Sequence, residues 1–173
     1  MKKLLLVSGP DRVGKSTLCS SLSANPKHFA APSGCEDSIY EMYYRELREL
    51  PEGISVFDRG WVCSYILEDF RRHCGNHLYD VMQLEIDILD LGIEVLHIGL
   101  VRPWHFSARL HLEEIRADFP ELAEWRHRDI LIERRNEHFF YIEKMKEFYT
   151  QVSLFPHVLL EDNTNLQLIT QWL

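Results

Sequence analysis

Long apolar runs are missing from this sequence. The run at its start is only Leu4–Val7, and Asp11 and Arg12 follow almost at once. That is shorter than the apolar core of a secretory leader, and no other stretch approaches the ~20 residues of a membrane-spanning helix. Cysteine is scarce: Cys19, Cys35, Cys63 and Cys74, with no two at a CxxC spacing. This argues against a zinc framework. The nine histidines form no HExxH or other metal pattern. There are no internal repeats, low-complexity tracts or linkers. Basic residues are in deficit, 19 against 27 acidic ones, for a formal charge of -8. A surface that tracks a long polynucleotide must neutralise many phosphates, so the acidic balance disfavours a nucleic acid substrate while permitting a local cluster of donors. The expectation is a cytoplasmic protein with reduced thiols and no membrane partner, its 173 residues forming one domain.

What is present is an alternation. The apolar run Lys3–Ser8 ends at Gly9, as a buried parallel strand would. A helix is predicted over Lys15–Ser23, stopped before Asn25-Pro26. Residues 27–34 read as extended or loop, 35–50 as helix, and 54–57 as a second strand closing on Asp58. Helices follow at Trp61–His73 and 79–92, then a third strand at 93–100. Residues 102–127 predict a helix and then a mobile segment, and Asp129–Thr150 a long helix with Ile132, Phe139, Ile142 and Met145 on its core face. A last strand at 157–161 and a helix at Leu166–Leu173 close the chain. Strands alternating with helices predict an α/β fold: three layers, with a mostly parallel central sheet flanked by helices. Ligands of such sheets bind beyond the carboxyl ends of the strands, where Gly9 and Asp58 both fall.

The stretch "VSGPDRVGKSTL" carries the chemistry. Gly9, Gly14, Lys15 and Ser16 satisfy GxxxxGK[ST], between a predicted strand and a predicted helix. The glycines let the backbone curl so that successive N–H groups point inward, and the following helix adds the positive end of its dipole. Gly9, Pro10, Asp11, Arg12, Val13, Gly14, Lys15, Ser16 and Thr17 are thus the expected cradle for a nucleotide's phosphates. Lys15 brings a point charge to the outer phosphates, and the Ser16 hydroxyl can ligate Mg²⁺. The fold expected from this motif is that of the P-loop NTPases.

A phosphate loop alone does not choose between a kinase, a GTPase switch and a mechanical ATPase. Two features favour a kinase. Arg12, inside the loop, can reach a phosphate in transfer, like an arginine finger supplied in cis. In "SVFDRG" a strand delivers Asp58 and Arg59 to the same edge. Asp58 can hold a water of the Mg²⁺ shell, and Arg59 can grip a second phosphate with its fork of donors. No NKxD-like guanine reader is present, which counts against a GTPase.

"GPDRVGKST" and "FDRGWVCS" resemble the corresponding segments of the thymidylate kinase group of P-loop nucleoside monophosphate kinases; "APSG" (31–34) and "HVLLEDNT" resemble its acceptor loop and last strand more loosely. The resemblance implies transfer of the terminal phosphate of ATP, with Mg²⁺, to a deoxynucleoside monophosphate. It implies that Asp11 receives the acceptor's sugar hydroxyl and Arg12 bridges donor and acceptor phosphates. Lys15, Arg12, Asp58 and Arg59 would then be catalytic, and Ser16 and Asp58 would serve the metal. Only 23 residues separate Gly34 from Asp58, fewer than the family has there, and Gly60 stands where the family prefers an aromatic. The family's base contacts therefore do not transfer. The local candidates for the acceptor are Tyr40, Tyr43, Tyr44 and Arg45, with Tyr44 and Arg45 carried forward; Tyr40 and Tyr44, four residues apart, also fit a core face.

Residues 103–128 are a candidate lid that excludes water from ATP, although interleaved acids make a solvated helix face an equal reading. Three functions stay open: a kinase of a small-molecule nucleotide, a P-loop kinase of a hydroxyl on a nucleoside, modified base or DNA end, and a nucleotide-dependent switch or assembly ATPase. A homodimer is compatible with the resemblance.

Overall fold

The computed structural model describes residues 1–29, 38–67, 77–161 and 166–172. Its elements, in chain order, are β1 (Lys2–Ser8), α1 (Lys15–Leu22), β2 (Lys27–His28), α2 (Ile39–Arg48), β3 (Gly53–Asp58), α3 (Trp61–Leu67), α4 (Leu78–Asp90), β4 (Ile93–Leu100), α5 (Trp104–Asp118), α6 (Glu124–Gln151), β5 (His157–Leu160) and α7 (Leu166–Trp172). The strands form one sheet in the order β2-β3-β1-β4-β5, and every pairing is parallel. The predicted three-layer α/β architecture is the observed one. No described helix is long and apolar enough to cross a membrane.

The central strand explains the layers. Leu4, Leu5, Leu6 and Val7 are all fully buried. Side chains alternate across a strand, so Leu4 and Leu6 join one core with α2, α3, α4 and α6, while Leu5 and Val7 join a second with α1 and α7. Phe57 and Val56 of β3 divide in the same way. Each such side chain contributes about 2 kcal/mol by leaving water. A sheet buried on both faces reads in sequence as a continuous apolar run, which is why its strands were legible.

One polar cluster lies inside the first core. The Glu85 carboxylate of α4 accepts from Trp61 Nε1 (3.0 Å), Ser153 Oγ (3.0 Å) and the Leu154 amide (2.7 Å), and lies 3.2 Å from His97 Nε2. Burial alone would push its pKa up, but the hydrogen bonds from His97, Leu154 and Trp61 outweigh that and hold it below the usual carboxylate value. The cluster ties α4, α3 and β4 to the turn before β5.

Three expectations are corrected. Residues 102–127, read as a helix and then a mobile segment, are α5, a turn at 119–123 and the start of α6, which begins at Glu124 rather than Asp129. Ile132 and Phe139, expected on the core face of the long helix, are 54% and 48% exposed. The buried face is instead His127, His138, Tyr141, Met145, Phe148 and Tyr149; histidines and tyrosines carry it, and apolar periodicity does not count them. Tyr40 and Tyr44 are half-buried and stack on each other (5.1 Å), while Tyr43 takes the core position, its hydroxyl 2.9 Å from that of Ser64. The described cysteines, Cys19 and Cys63, are free and buried. Cys35, Cys74, the 31–34 segment and residues 68–73 of the helix expected over Trp61–His73 lie outside the described residues.

Gly60 marks the tightest join. A Cβ there would lie 2.2 Å from Leu6 Cδ1, inside the fully buried β1 core. This is the physical reason no aromatic, nor any side chain, stands at that position. Gly60→Ala is expected to destabilise the fold by about 1–3 kcal/mol through overpacking. Adding Leu6→Ala removes the clash, so urea unfolding should show the double variant losing less than the sum of the singles. Additive losses would contradict the contact.

Candidate functional site

The site is built where β1, β3 and β4 end. Val7 pairs with Asp58 across β1 and β3, and the Arg59 amide donates to the Val7 carbonyl (3.1 Å). The two segments that sequence reading singled out are thereby adjacent. Beyond β1 the chain turns at Gly9 (φ 154°), where a Cβ would lie 2.9 Å from the Leu100 carbonyl oxygen. Pro10 follows, and Val13 drops its side chain into the second core, pinning the loop from beneath. Gly14 (φ 92°) caps α1 in a left-handed conformation and lets the chain enter the helix at Lys15. Arg102, directly after β4, rests beside this turn: a Cβ on Gly14 would be 3.4 Å from its Nη1.

Lys15 folds back over the loop, its Nζ donating to the Pro10 carbonyl (2.6 Å) and lying 4.0 Å from Asp11 Oδ1. Burial pushes its pKa down, opposed by the nearby Asp11 and Asp58. The Ser16 hydroxyl donates to Asp58 Oδ2 at 2.6 Å, and His28 Nδ1 lies 3.2 Å from the same oxygen. Asp58 is 3% exposed, and its other oxygen, Oδ1, is buried with no hydrogen-bond partner. Thr17 is exposed on the cleft wall.

The two arginines face the same space. Arg59 Nη2 donates to Asp11 Oδ1 at 2.9 Å, and its Nε is buried without a partner. The Arg12 guanidinium pairs with Glu114 of α5, Nε to Oε2 at 3.3 Å with a second contact from Nη2 to Oε1. Among the described residues, only these two non-glycine residues have positive φ: 64° at Arg12 and 70° at Arg59. Such a backbone costs an ordinary residue about 1–2 kcal/mol, and strain of this kind collects at functional sites. It turns each guanidinium toward a cleft of about 490 Å³, whose floor is the loop with Lys15 and Ser16 and whose far wall is Leu110, His111 and Glu114 of α5 with Arg134 of α6.

Sequence reading missed that far wall. Arg134 and Glu114 fall among the charges that read equally as a lid or a solvated face, and no histidine was given a role. The available signal was the one-turn spacing of His111 and Glu114 on a helix entering beside β4. His111 stacks on Trp104 (5.3 Å), whose other neighbour is His138 (5.4 Å), and His138 Nε2 donates to the Arg102 carbonyl (2.9 Å). Burial lowers the pKa of both histidines and so favours their neutral forms. Tyr44 and Arg45, expected on the acceptor side, are not brought to the cleft. They line a separate groove on the outer face of α2 with Arg48 and Glu49, because Tyr43 takes the inward position.

No protein-family model and no curated protein matches the sequence. Among solved structures the chain is similar to the YorR protein of Bacillus subtilis in complex with phosphorylated GDP, at 15% identity and a TM-score of 0.54 over 91% of this chain and 85% of that one. It is also similar to polyphosphate kinase 2 from Arthrobacter aurescens TC1, at 16% identity and a TM-score of 0.59 over 94% of this chain and 62% of that one. A deoxyadenosine kinase from M. mycoides with bound dCTP superposes more loosely, at 18% identity and a TM-score of 0.48 over 99% and 98% of the two chains. The fold is that of the P-loop NTPases. These likenesses do not single out the thymidylate kinases.

The left-handed turn at Arg12 is directly testable. Arg12→Gly and Arg12→Ala both remove the guanidinium, but only glycine relieves the backbone. The glycine variant is expected to be about 1 kcal/mol more stable than the alanine variant in urea unfolding. Equal stabilities would mean the turn is not held in solution.

Proposed function

We propose that this chain is an ATP- and Mg²⁺-dependent phosphotransferase that converts a deoxynucleoside monophosphate to its diphosphate. The observation that carries this reading is the charge of the cleft. Three guanidinium groups, Arg12, Arg59 and Arg134, converge with Lys15 on one space. The two carboxylates that line it, Asp11 and Glu114, are each paired with an arginine. A cleft so furnished suits phosphates on both sides of the transfer. A phosphate acceptor is already a nucleophile and needs no strong base, so alignment and positive charge supply the catalysis. The likeness of fold to a polyphosphate kinase and to a protein holding phosphorylated GDP is in keeping with this.

In this reading the loop amides and Lys15 hold the β- and γ-phosphates. Arg12 follows the γ-phosphate in transfer, Arg59 and Arg134 grip the acceptor's phosphate, and Asp11 turns to its sugar. The oxygens of Ser16 and Asp58 fit Mg²⁺: both are hard donors, and Asp58 Oδ1 is a buried acceptor without a partner. When bound, Mg²⁺ would offset the negative charge of the reacting phosphates. Ser16 and Asp58 would hold it, directly or through its water shell.

A second reading, transfer to a hydroxyl of a nucleoside, modified base or DNA end, draws on the Asp58–His28 contact, which could orient a carboxylate as a base. Against it, Asp58 is almost wholly buried behind Ser16. Labelled ATP and Mg²⁺ against a panel of nucleosides, monophosphates and DNA oligomers separates the two: label in a nucleoside diphosphate supports the first, and label in DNA or a monophosphate the second. Free phosphate alone would overturn both in favour of a switch or assembly ATPase.

Lys15→Ala is expected to abolish turnover. Arg12→Ala should lower kcat by ~10³ with ATP affinity within a few-fold, since such arginines act in the transition state. Arg134→Ala should raise KM for the acceptor about tenfold or more while leaving KM for ATP nearly unchanged, as loss of a charge-assisted contact to one substrate does. Equal loss of ATP binding and turnover in Arg12→Ala would make that residue a ground-state ligand.

A further inference from the structure

The ion-paired arginines of α5 and α6 find their acids locally. Arg109 pairs with Glu113 one turn on (2.8 Å), Arg116 with Glu124 (2.6 Å) and Arg134 with Glu137 (3.6 Å). Glu114 breaks this pattern. It reaches across the cleft to Arg12, 102 residues away in the chain, which donates from Nε to Oε2 at 3.3 Å and from Nη2 to Oε1. His111 Nδ1 lies 3.8 Å from Glu114 Oε2, beyond hydrogen-bond reach. Asp118, one turn further along α5, attracts Arg12 only through space. Arg12 is thus the one cation hydrogen-bonded to Glu114 among the described residues.

A guanidinium fork grips a carboxylate and a phosphate in the same way, by two N–H donors on two oxygens of one group. The Glu114 carboxylate therefore sits where two oxygens of a phosphate would. We propose that Glu114 is a specificity-determining residue: it holds Arg12 until the outermost phosphate of a donor replaces it, and so sets how strongly the cleft prefers a triphosphate to a diphosphate. The inference rests on the phosphotransferase reading above. A diphosphate, which ends at the seat served by the loop amides and Lys15, leaves the Arg12–Glu114 pair in place. A triphosphate has to break it. The two side chains are 47% and 36% exposed, so the pair is screened and weak enough to exchange.

The competition has a consequence for catalysis. Whatever Arg12 gains from the third phosphate in the ground state is offset by what it loses from Glu114. Its net grip on bound donor is small, and its strength is kept for the charge that shifts during transfer. Only such differential binding raises kcat. This accounts for the small effect on ATP affinity expected of Arg12→Ala.

Calorimetric titration of the full chain with ATP and with ADP, each with Mg²⁺, tests the proposal. Glu114→Gln keeps the shape and removes the charge. It is expected to tighten ATP about three- to fivefold, the strength of one screened pair, and to leave ADP within about twofold. Glu113→Gln removes an equal charge one residue along and should leave both affinities within about twofold. Arg12→Ala costs ATP only a few-fold in the wild type. In the Glu114→Gln background it should cost about tenfold or more, and in the Arg12→Ala background Glu114→Gln should gain nothing. None of the three side chains is buried, so the urea midpoint serves as the control for folding. An unchanged ATP affinity in Glu114→Gln, equal gains for ATP and ADP, or a gain that persists without Arg12 would overturn the inference and leave the phosphotransferase reading standing. A wild-type chain that binds neither nucleotide would overturn both.

Discussion

The parallel pairing of β1 with β3, in the register that sets Val7 opposite Asp58, is the constraint on which the site depends. It brings the end of one apolar strand beside the end of another, and each end carries a different half of the chemistry. The loop after β1 supplies amides, Lys15 and Ser16; the turn after β3 supplies Asp58 and Arg59. The Arg59 amide bonds to the Val7 carbonyl, so the turn is part of the sheet's own hydrogen bonding. A one-residue slip would exchange the two faces of a fully buried strand. Burial of Leu4–Val7 and the closeness of Gly60 to Leu6 hold the register, and with it the separation of the two guanidinium groups.

Within this frame the cleft is balanced rather than simply cationic. Arg12 leans on Glu114, Arg59 on Asp11, and Lys15 on a carbonyl. The Arg12–Glu114 pair is partly exposed, and such pairs are worth ~1 kcal/mol or less. In the proposed reading a polyphosphate with several charges displaces Glu114 at little cost. Because Glu114 belongs to α5, exchange of partners by Arg12 also alters how that helix is tethered. The candidate lid and the loop arginine are thus linked by one salt bridge, which gives the 103–128 segment a physical connection to the loop that its composition alone does not provide.

Much of this was legible in the chain itself. The strands show as unbroken apolar runs because both faces of the sheet are covered, and the phosphate loop shows in the spacing of Gly9, Gly14, Lys15 and Ser16. What escaped reading has specific causes. α6 buries histidines and tyrosines and exposes Ile132 and Phe139, so its apolar periodicity points to the wrong face. Arg134 and Glu114 sit among many charges and become distinctive only when α5 and α6 close over the loop. The left-handed backbone at Arg12 and Arg59 leaves no trace in residue type, since glycine would be the ordinary signal for it. Tyr44 and Arg45 had suitable chemistry on a correctly predicted helix, but Tyr43 claimed the inward position.

The central claim is that a ring of main-chain amides with one ammonium group captures a triphosphate tail. Amide chemical shifts of the ¹⁵N-labelled protein, recorded as ATP with Mg²⁺ is added, test it most directly. The account predicts large, saturable shifts confined to the amides of residues 11–17 and Arg59, reproduced by inorganic triphosphate and absent with adenosine. Unmoved loop amides, or shifts centred elsewhere on the chain, would contradict it.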